Sequence, residues 1–256
     1  MSERRAVSRV NDSDENAKSQ NESFASHVEA LLNRTEYRKC DKGDDREDIF
    51  RLRYKAYLAN GIVTDIDNRM LSDDLDETPN VHLFGVFVDG RLLSTLRIHH
   101  VTAEMPWSTS TRAFEDIVLP MLEEGLTFVC MSRFASDPEW TRHYPQLPYV
   151  TLRLAGMACM YFDVPYGLST VREDHAGFYK RIYGSECISG PRPYPGVLSK
   201  VVLYRTDAHT NTETFFSRFP FFRSTPMERR MLFGKPALGE PEPLTILPTT
   251  RFIRAA

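Results

Sequence analysis

The stretch Leu83-Phe84-Gly85-Val86-Phe87-Val88-Asp89-Gly90-Arg91-Leu92-Leu93-Ser94-Thr95-Leu96-Arg97-Ile98-His99-His100 decides how the rest of the chain is read. Two apolar runs of strand length flank Asp89-Gly90, and an Asp-Gly pair accepts the positive φ values of a type I′ hairpin turn. The first arm is apolar almost throughout, as a strand covered on both faces must be. The second alternates, with Leu93, Thr95, Arg97 and His99 on one side and Leu92, Ser94, Leu96 and Ile98 on the other. A buried Arg97 requires a carboxylate or a substrate anion beside it, because an unpaired charge in the interior costs several kcal/mol.

Working outward, Thr35 to Lys39 reads as a first edge strand, and Phe24, Val28, Leu31 and Leu32 before it have near-helical spacing. Asp45-Arg46-Glu47-Asp48 supplies a cap and an acidic first turn for a helix through about Ala59. After an acidic, irregular segment from Ile62 to Asn80 and the hairpin itself come a helix over Ala113 to Leu122 and a buried strand over Leu126 to Phe134. A Pro-rich loop, a helix carrying Val150, Leu154, Met157, Ala158 and Tyr161, a strand over Tyr166 to Val171, a helix from about His175 to Gly184 and a strand over Val197 to Tyr204 complete the series. This order describes an α/β domain with a mixed β-sheet flanked by helices. The chain divides into a hydrophilic, mobile tail over 1–20, a domain over 21–206, and a Phe-rich then Pro-rich extension over 207–256.

Composition narrows the function. A formal net charge of −3 over 256 residues gives nucleic acid no electrostatic footing. No apolar run approaches the roughly 20 residues of a membrane span, and the hydrophilic N-terminus lacks a signal segment, which points to the cytoplasm. Cys40, Cys130, Cys159 and Cys187 are scattered, without the close pairs of a zinc site, so no metal is expected.

There is no phosphate-binding glycine loop, no Gly-x-Ser-x-Gly elbow and no His-Glu-x-x-His helix. What stands out is a set of charges on apolar elements: Arg53, Asp73, Asp76, Arg97 and Arg133. On physical grounds alone they read as an ion network joining helix to sheet. The ordered pattern Arg53-x-x-x-Tyr57, Asp73-x-x-Asp76, Leu96-Arg97 closing a hairpin and Ser132-Arg133-Phe134 closing a strand resembles the acyl-homoserine-lactone autoinducer synthases. It is more similar still to the N-acyl amino acid synthases of the FeeM type. Both belong to the Gcn5-related N-acetyltransferase-like superfamily, and Gly177 to Gly184 is similar to the late helix of that fold.

The resemblance, over about Asp48 to Tyr204, implies an N-acyltransferase that moves a medium- or long-chain fatty acyl group from a thioester to the α-amine of an amino acid or related amine. It implies that Arg53, Asp73, Asp76, Arg97 and Arg133 line or brace the site, with Tyr57, Cys130, Ser132 and Phe134 beside the substrates. The chain departs from the pattern in three places. Cys130 stands where autoinducer synthases carry an acidic residue, their tryptophan downstream of the first helix has no equivalent, and Pro138 to Pro148 replaces the loop that holds coenzyme A pyrophosphate.

No bound cofactor is implied. The acyl donor is expected on the phosphopantetheine of an acyl carrier protein in preference to coenzyme A, with Arg142, His143, Arg153, Arg172, Lys180 and Arg181 available as a basic docking face. His82 and His99 are the candidate general bases. The Phe215, Phe216, Phe219, Phe221 and Phe222 cluster suits either an acyl tunnel or packing of the extension on the sheet. Two other readings stand beside this one: an autoinducer synthase using S-adenosylmethionine, and an inactive acyl- or carrier-binding protein.

Overall fold

In the computed structural model, which describes residues 23–210 and 212–250, the Asp89-Gly90 turn closes the hairpin with φ of +49° and +76° at its two central residues. The turn joins β2 (Val81–Val88) to β3 (Arg91–Val101). The tail expected over 1–20 and residues 251–256 lie outside the described residues.

The remaining strands build on this hairpin. On one side, β1 (Thr35–Lys39) pairs antiparallel with β2; on the other, β4 (Phe128–Ser136) pairs antiparallel with β3. Next come β5 (Tyr166–Arg172), parallel to β4, and β8 (Val197–Asp207), antiparallel to β5. The short strands β6 (Glu186–Cys187) and β7 (Arg192–Tyr194) pair with β8, and β9 (Thr245–Ile246) pairs with β1. Among the described residues the order is β6-β8-β5-β4-β3-β2-β1-β9, a mixed sheet with one parallel pair at its centre.

Helices cover both faces. On one lie α2 (Asp44–Ala59), α3 (Thr109–Ala113) and α4 (Glu115–Glu123), with Leu83 packed on Ile49 and Phe50, and Phe128 and Cys130 on Phe114 and Val118. On the other, residues 23–32 form α1 and α5 (Leu147–Phe162) buries Val150, Leu154 and Met157 against Phe84, Leu96, Ile98 and Met131. Then α6 (Ala176–Tyr183) ends at Gly184, whose φ of +64° is the left-handed cap that glycine favours.

Three details differ from the sequence reading. The cap of α2 is Gly43, with no side-chain hydrogen bond, and Asp44, Asp45 and Glu47 fill the acidic first turn. A bulge between Val86 and Phe87 leaves Leu93 as the extra residue, so Leu92 joins the α2 side and Leu93 the α5 side, reversing their expected faces. The third concerns what anchors the C-terminal segment, α7 (Thr212–Arg218) and α8 (Pro226–Phe233), whose packing into the main core through Phe219, Phe221, Phe222, Leu232 and Phe233 matches one of the two roles expected of its phenylalanines. Its anchor is Arg153 of α5, expected on a docking surface and here without solvent exposure. The guanidinium pairs with Glu228 and donates to the Phe221 carbonyl oxygen at 2.9 Å.

Candidate active site

Asp73-x-x-Asp76 is, locally, a capping box. Asp73 Oδ1 accepts from the Leu75 N–H at 3.1 Å, and Asp76 Oδ2 accepts from the Asp73 N–H at 2.9 Å, around a single 3₁₀ turn (Asp74–Asp76). The spacing that singled out the two aspartates thus presents both carboxylates to the sheet. Arg53 on α2 donates to Asp76 Oδ1 at 2.8 Å, and Arg97 Nη1 lies 3.1 Å from the same oxygen; none of these three side chains has any exposure. Arg97 also pairs with Asp73, donates from Nε to Ser132 Oγ at 3.0 Å and from Nη2 to Thr109 Oγ1 at 3.0 Å. The charge that the hairpin placed in a strand is thereby fully partnered.

Burial alone would raise both carboxyl pKa values, but the surrounding guanidiniums more than offset it. Asp73 is held well below the usual range by Arg97 and Arg133, and Asp76 is lowered by Arg53 and Arg97. Burial lowers Arg53 to about 10 despite Asp76 beside it. Arg133 pairs with Asp73 and is raised, because Tyr57 and Asp73 outweigh its desolvation. Its guanidinium carbon sits 5.7 Å from the Tyr57 ring centre.

This network backs onto a cleft of about 480 Å³. The cleft exists because β4 and β5 pair only over Phe128–Met131 and Tyr166–Ser169, then part. At the parting, the β3–β4 register skips between Thr95 and Arg97, and Arg133 takes a φ of +53°, rare for a residue with a side chain. Tyr57, Ser132, Arg133 and Phe134 line the cleft, with Thr109, Tyr179 and Tyr194 among its other walls. Arg53, Asp73, Asp76 and Arg97 stand behind this wall and brace it.

The remaining candidates are placed elsewhere. His82 pairs in register with Ile98 and so faces the α5 side, opposite Arg97, among Phe84, Phe162 and Phe233. Its pKa is lowered to about 4, chiefly by burial. His99 shares the face of Arg97, but its Nε2–H donates to the Leu75 carbonyl oxygen at 3.0 Å, its Nδ1 is buried without a partner, and burial with Arg97 nearby lowers it to about 3. Neither imidazole borders the cleft. Cys130 does not border it either; buried against α4, its thiol is raised to about 11 by desolvation. No cluster of His, Cys, Asp and Glu suited to a metal occurs among the described residues.

A second cavity, about 570 Å³, lies between α5, α6 and α7, and Phe215, Phe216, Phe219 and Phe222 line it. Met131 borders both spaces. Phe219, Phe221 and Phe222 pack in the core, and Phe215, Phe216, Phe219 and Phe222 border this hollow.

The backbone N–H groups at the start of a helix are the ones an anion can meet, and α5 begins beside the cleft at Leu147 and Pro148. Here those groups are used within the chain: Leu147 N–H donates to the Tyr144 oxygen and Tyr149 and Val150 to the Gln146 oxygen, while Pro148 has none to offer.

Thr109, Tyr179 and Tyr194 were not singled out from the sequence. The Ser108 cap of α3, which accepts from Thr111 N–H, was the available signal for Thr109, since it fixes where Trp107-Ser108-Thr109 turns into a helix. Tyr194 ends the short strand of an Arg-Pro-Tyr-Pro-Gly stretch too brief to carry periodicity.

A family model described as N-acyl amino acid synthase FeeM matches residues 48–207. Among solved structures, FeeM, an N-acyl amino acid synthase from uncultured soil microbes, aligns with a TM-score of 0.58 at 18% identity, covering 69% of this chain and 92% of that one. The acyl-homoserine-lactone synthase LasI aligns with a TM-score of 0.50 at 16% identity, covering 71% and 92%. No curated protein matches the sequence.

Proposed function

The chain belongs to the N-acyl amino acid synthase FeeM family of N-acyltransferases, and from that premise we propose that it transfers a medium- or long-chain fatty acyl group from an acyl carrier protein to the α-amine of an amino acid. The observation that carries the choice of donor is the start of α5. Coenzyme A brings a pyrophosphate that needs several free N–H donors, and this helix keeps its own occupied and loses one to Pro148. A carrier protein presents a single phosphodiester on an acidic surface. Arg142 and His143 are exposed beside the cleft, and Lys180 and Arg181 on the adjoining rim of the second cavity complement such a surface.

In this reading the thioester enters the cleft where β4 and β5 part. The chain beyond it passes Met131 into the phenylalanine-lined cavity, with each buried CH₂ worth roughly 0.8 kcal/mol. The neutral amine attacks the thioester carbonyl carbon, backbone N–H groups of β4 where its register with β3 skips meet the oxyanion, the C–S bond breaks and the thiolate takes up a proton. With His82 on the far face and His99 buried away from the cleft, the amine proton leaves through water.

The test is incubation of the purified protein with acyl carrier protein and with coenzyme A thioesters of the same fatty acid, against a panel of amino acids and S-adenosylmethionine, with products read by mass spectrometry. N-acyl amino acids formed from the carrier donor support the proposal. A homoserine lactone, a strict coenzyme A requirement, or no amide from any donor would each displace it.

A further inference from the structure

Tyr194 on β7 borders the cleft, is 7% exposed, and has its hydroxyl buried without a hydrogen-bond partner. A buried hydroxyl left open is destabilising unless something that binds later completes it. The ring lies within electrostatic reach of the Arg133 and Arg112 guanidiniums. Arg112 directs its two Nη groups to Asp74. Arg133 gives one Nη to Asp73 and borders the same cleft as Tyr194, and a guanidinium carries five N–H donors in all. A cation with donors to offer and a tyrosine with an open hydroxyl, both bordering one cleft, match an anion with two oxygens.

We propose that Arg133 and Tyr194 bind the carboxylate of the acceptor, so that Tyr194 selects amino acids over simple amines. This rests on the N-acyl amino acid synthase reading above. The guanidinium takes one carboxylate oxygen, the Tyr194 O–H donates to the other, and the α-amine is thereby aimed at the thioester. The preference is set by the last residue of β7, away from the charge set that marks the family resemblance.

The experiment compares wild type with Tyr194→Phe on matched acceptors, L-leucine with isopentylamine and L-phenylalanine with phenethylamine, using one acyl carrier protein thioester as donor. A hydrogen bond to a carboxylate is worth about a tenfold or larger factor. Tyr194→Phe should therefore raise the acceptor KM about tenfold for the amino acids, leave the amines and the donor KM unchanged, and so erase most of the preference. Thermal unfolding gives a second readout: because the hydroxyl is unpartnered in the free protein, Tyr194→Phe should melt at the wild-type temperature or above, whereas a structural hydroxyl would lower it. Retained activity with an unchanged ratio between amino acid and amine would overturn the carboxylate site alone. Absence of amide from every acceptor with the wild-type protein would overturn the function and this site together.

Discussion

Arg53 and Arg97, two guanidiniums without solvent exposure, converge on a single oxygen, Asp76 Oδ1, at 2.8 Å and 3.1 Å. Asp76 thus counters Arg53 and shares Arg97 with Asp73, the two cations reaching it from a helix and a central strand. The arrangement separates residues that brace the cleft wall from residues that border the cleft itself.

Asp76→Ala leaves both guanidiniums short of their counter-charge, so it should destabilise the protein by about 3–5 kcal/mol. Urea unfolding followed by circular dichroism measures this, and a loss below about 1 kcal/mol would show that neither guanidinium depends on Asp76 for its counter-charge.

Asp73 is partly exposed and connects Arg97 to Arg133 at the cleft wall. Asp73→Asn keeps the shape and removes the charge that aims Arg133. It should reduce kcat/KM for the acceptor by about a hundredfold, with a smaller effect on stability than Asp76→Ala. Equal effects on both would assign the two aspartates the same bracing role.

Arg153 and Glu228 hold the C-terminal segment to α5 in a place that water does not reach. Glu228→Gln should cost about 3–5 kcal/mol, while Arg153→Met combined with Glu228→Leu should cost much less, because removing both charges leaves none unpaired. Comparing the denaturation midpoints of the single and double variants checks this.

The histidines make an acid sensor of stability. His82 and His99 have folded pKa values of about 4 and about 3 against 6.5 for the free side chain. Between those values the unfolded chain binds more protons than the folded one, so stability is full above pH 6.5 and falls as pH drops toward 4. Below that, protonation of Asp73 and Asp76 in the unfolded chain adds a further loss, since both are lowered in the fold. Thermal melts from pH 8 to pH 4 should show the decline, and His82→Phe, which suits its aromatic surroundings, should flatten it by one proton's worth. An unchanged profile would mean that His82 protonates freely in the fold.

If a carrier protein is the donor, encounter is steered by charge. Replacing Arg142 and Lys180 together by Glu should reduce kcat/KM for the carrier thioester about tenfold at low salt and weaken its salt dependence. Turnover with a short pantetheine thioester should be unaffected, and equal losses on both donors would place these residues outside docking.

The sequence alone determined the elements that local rules govern. Asp89-Gly90 marks a turn, the apolar arms beside it read as strands, and Gly184 ends its helix; that Asp73-x-x-Asp76 forms a capping box emerged with the structure. The sequence also posed the demand that Arg97 be paired, because the cost of a lone buried charge does not depend on the fold. Which face each residue took was decided only by the assembled sheet. One extra residue at the β2–β3 bulge exchanges Leu92 and Leu93, and simple strand parity puts His82 opposite the side on which His99 lies. The approach of Thr109, Tyr179 and Tyr194 to the cleft, and the burial of Arg153 under residues 221–228, join segments tens of positions apart. Such meetings carry no signal in periodicity or spacing. They follow from strand register and from the parting of β4 and β5, which are set by the packing of the whole core and not by any window of the chain.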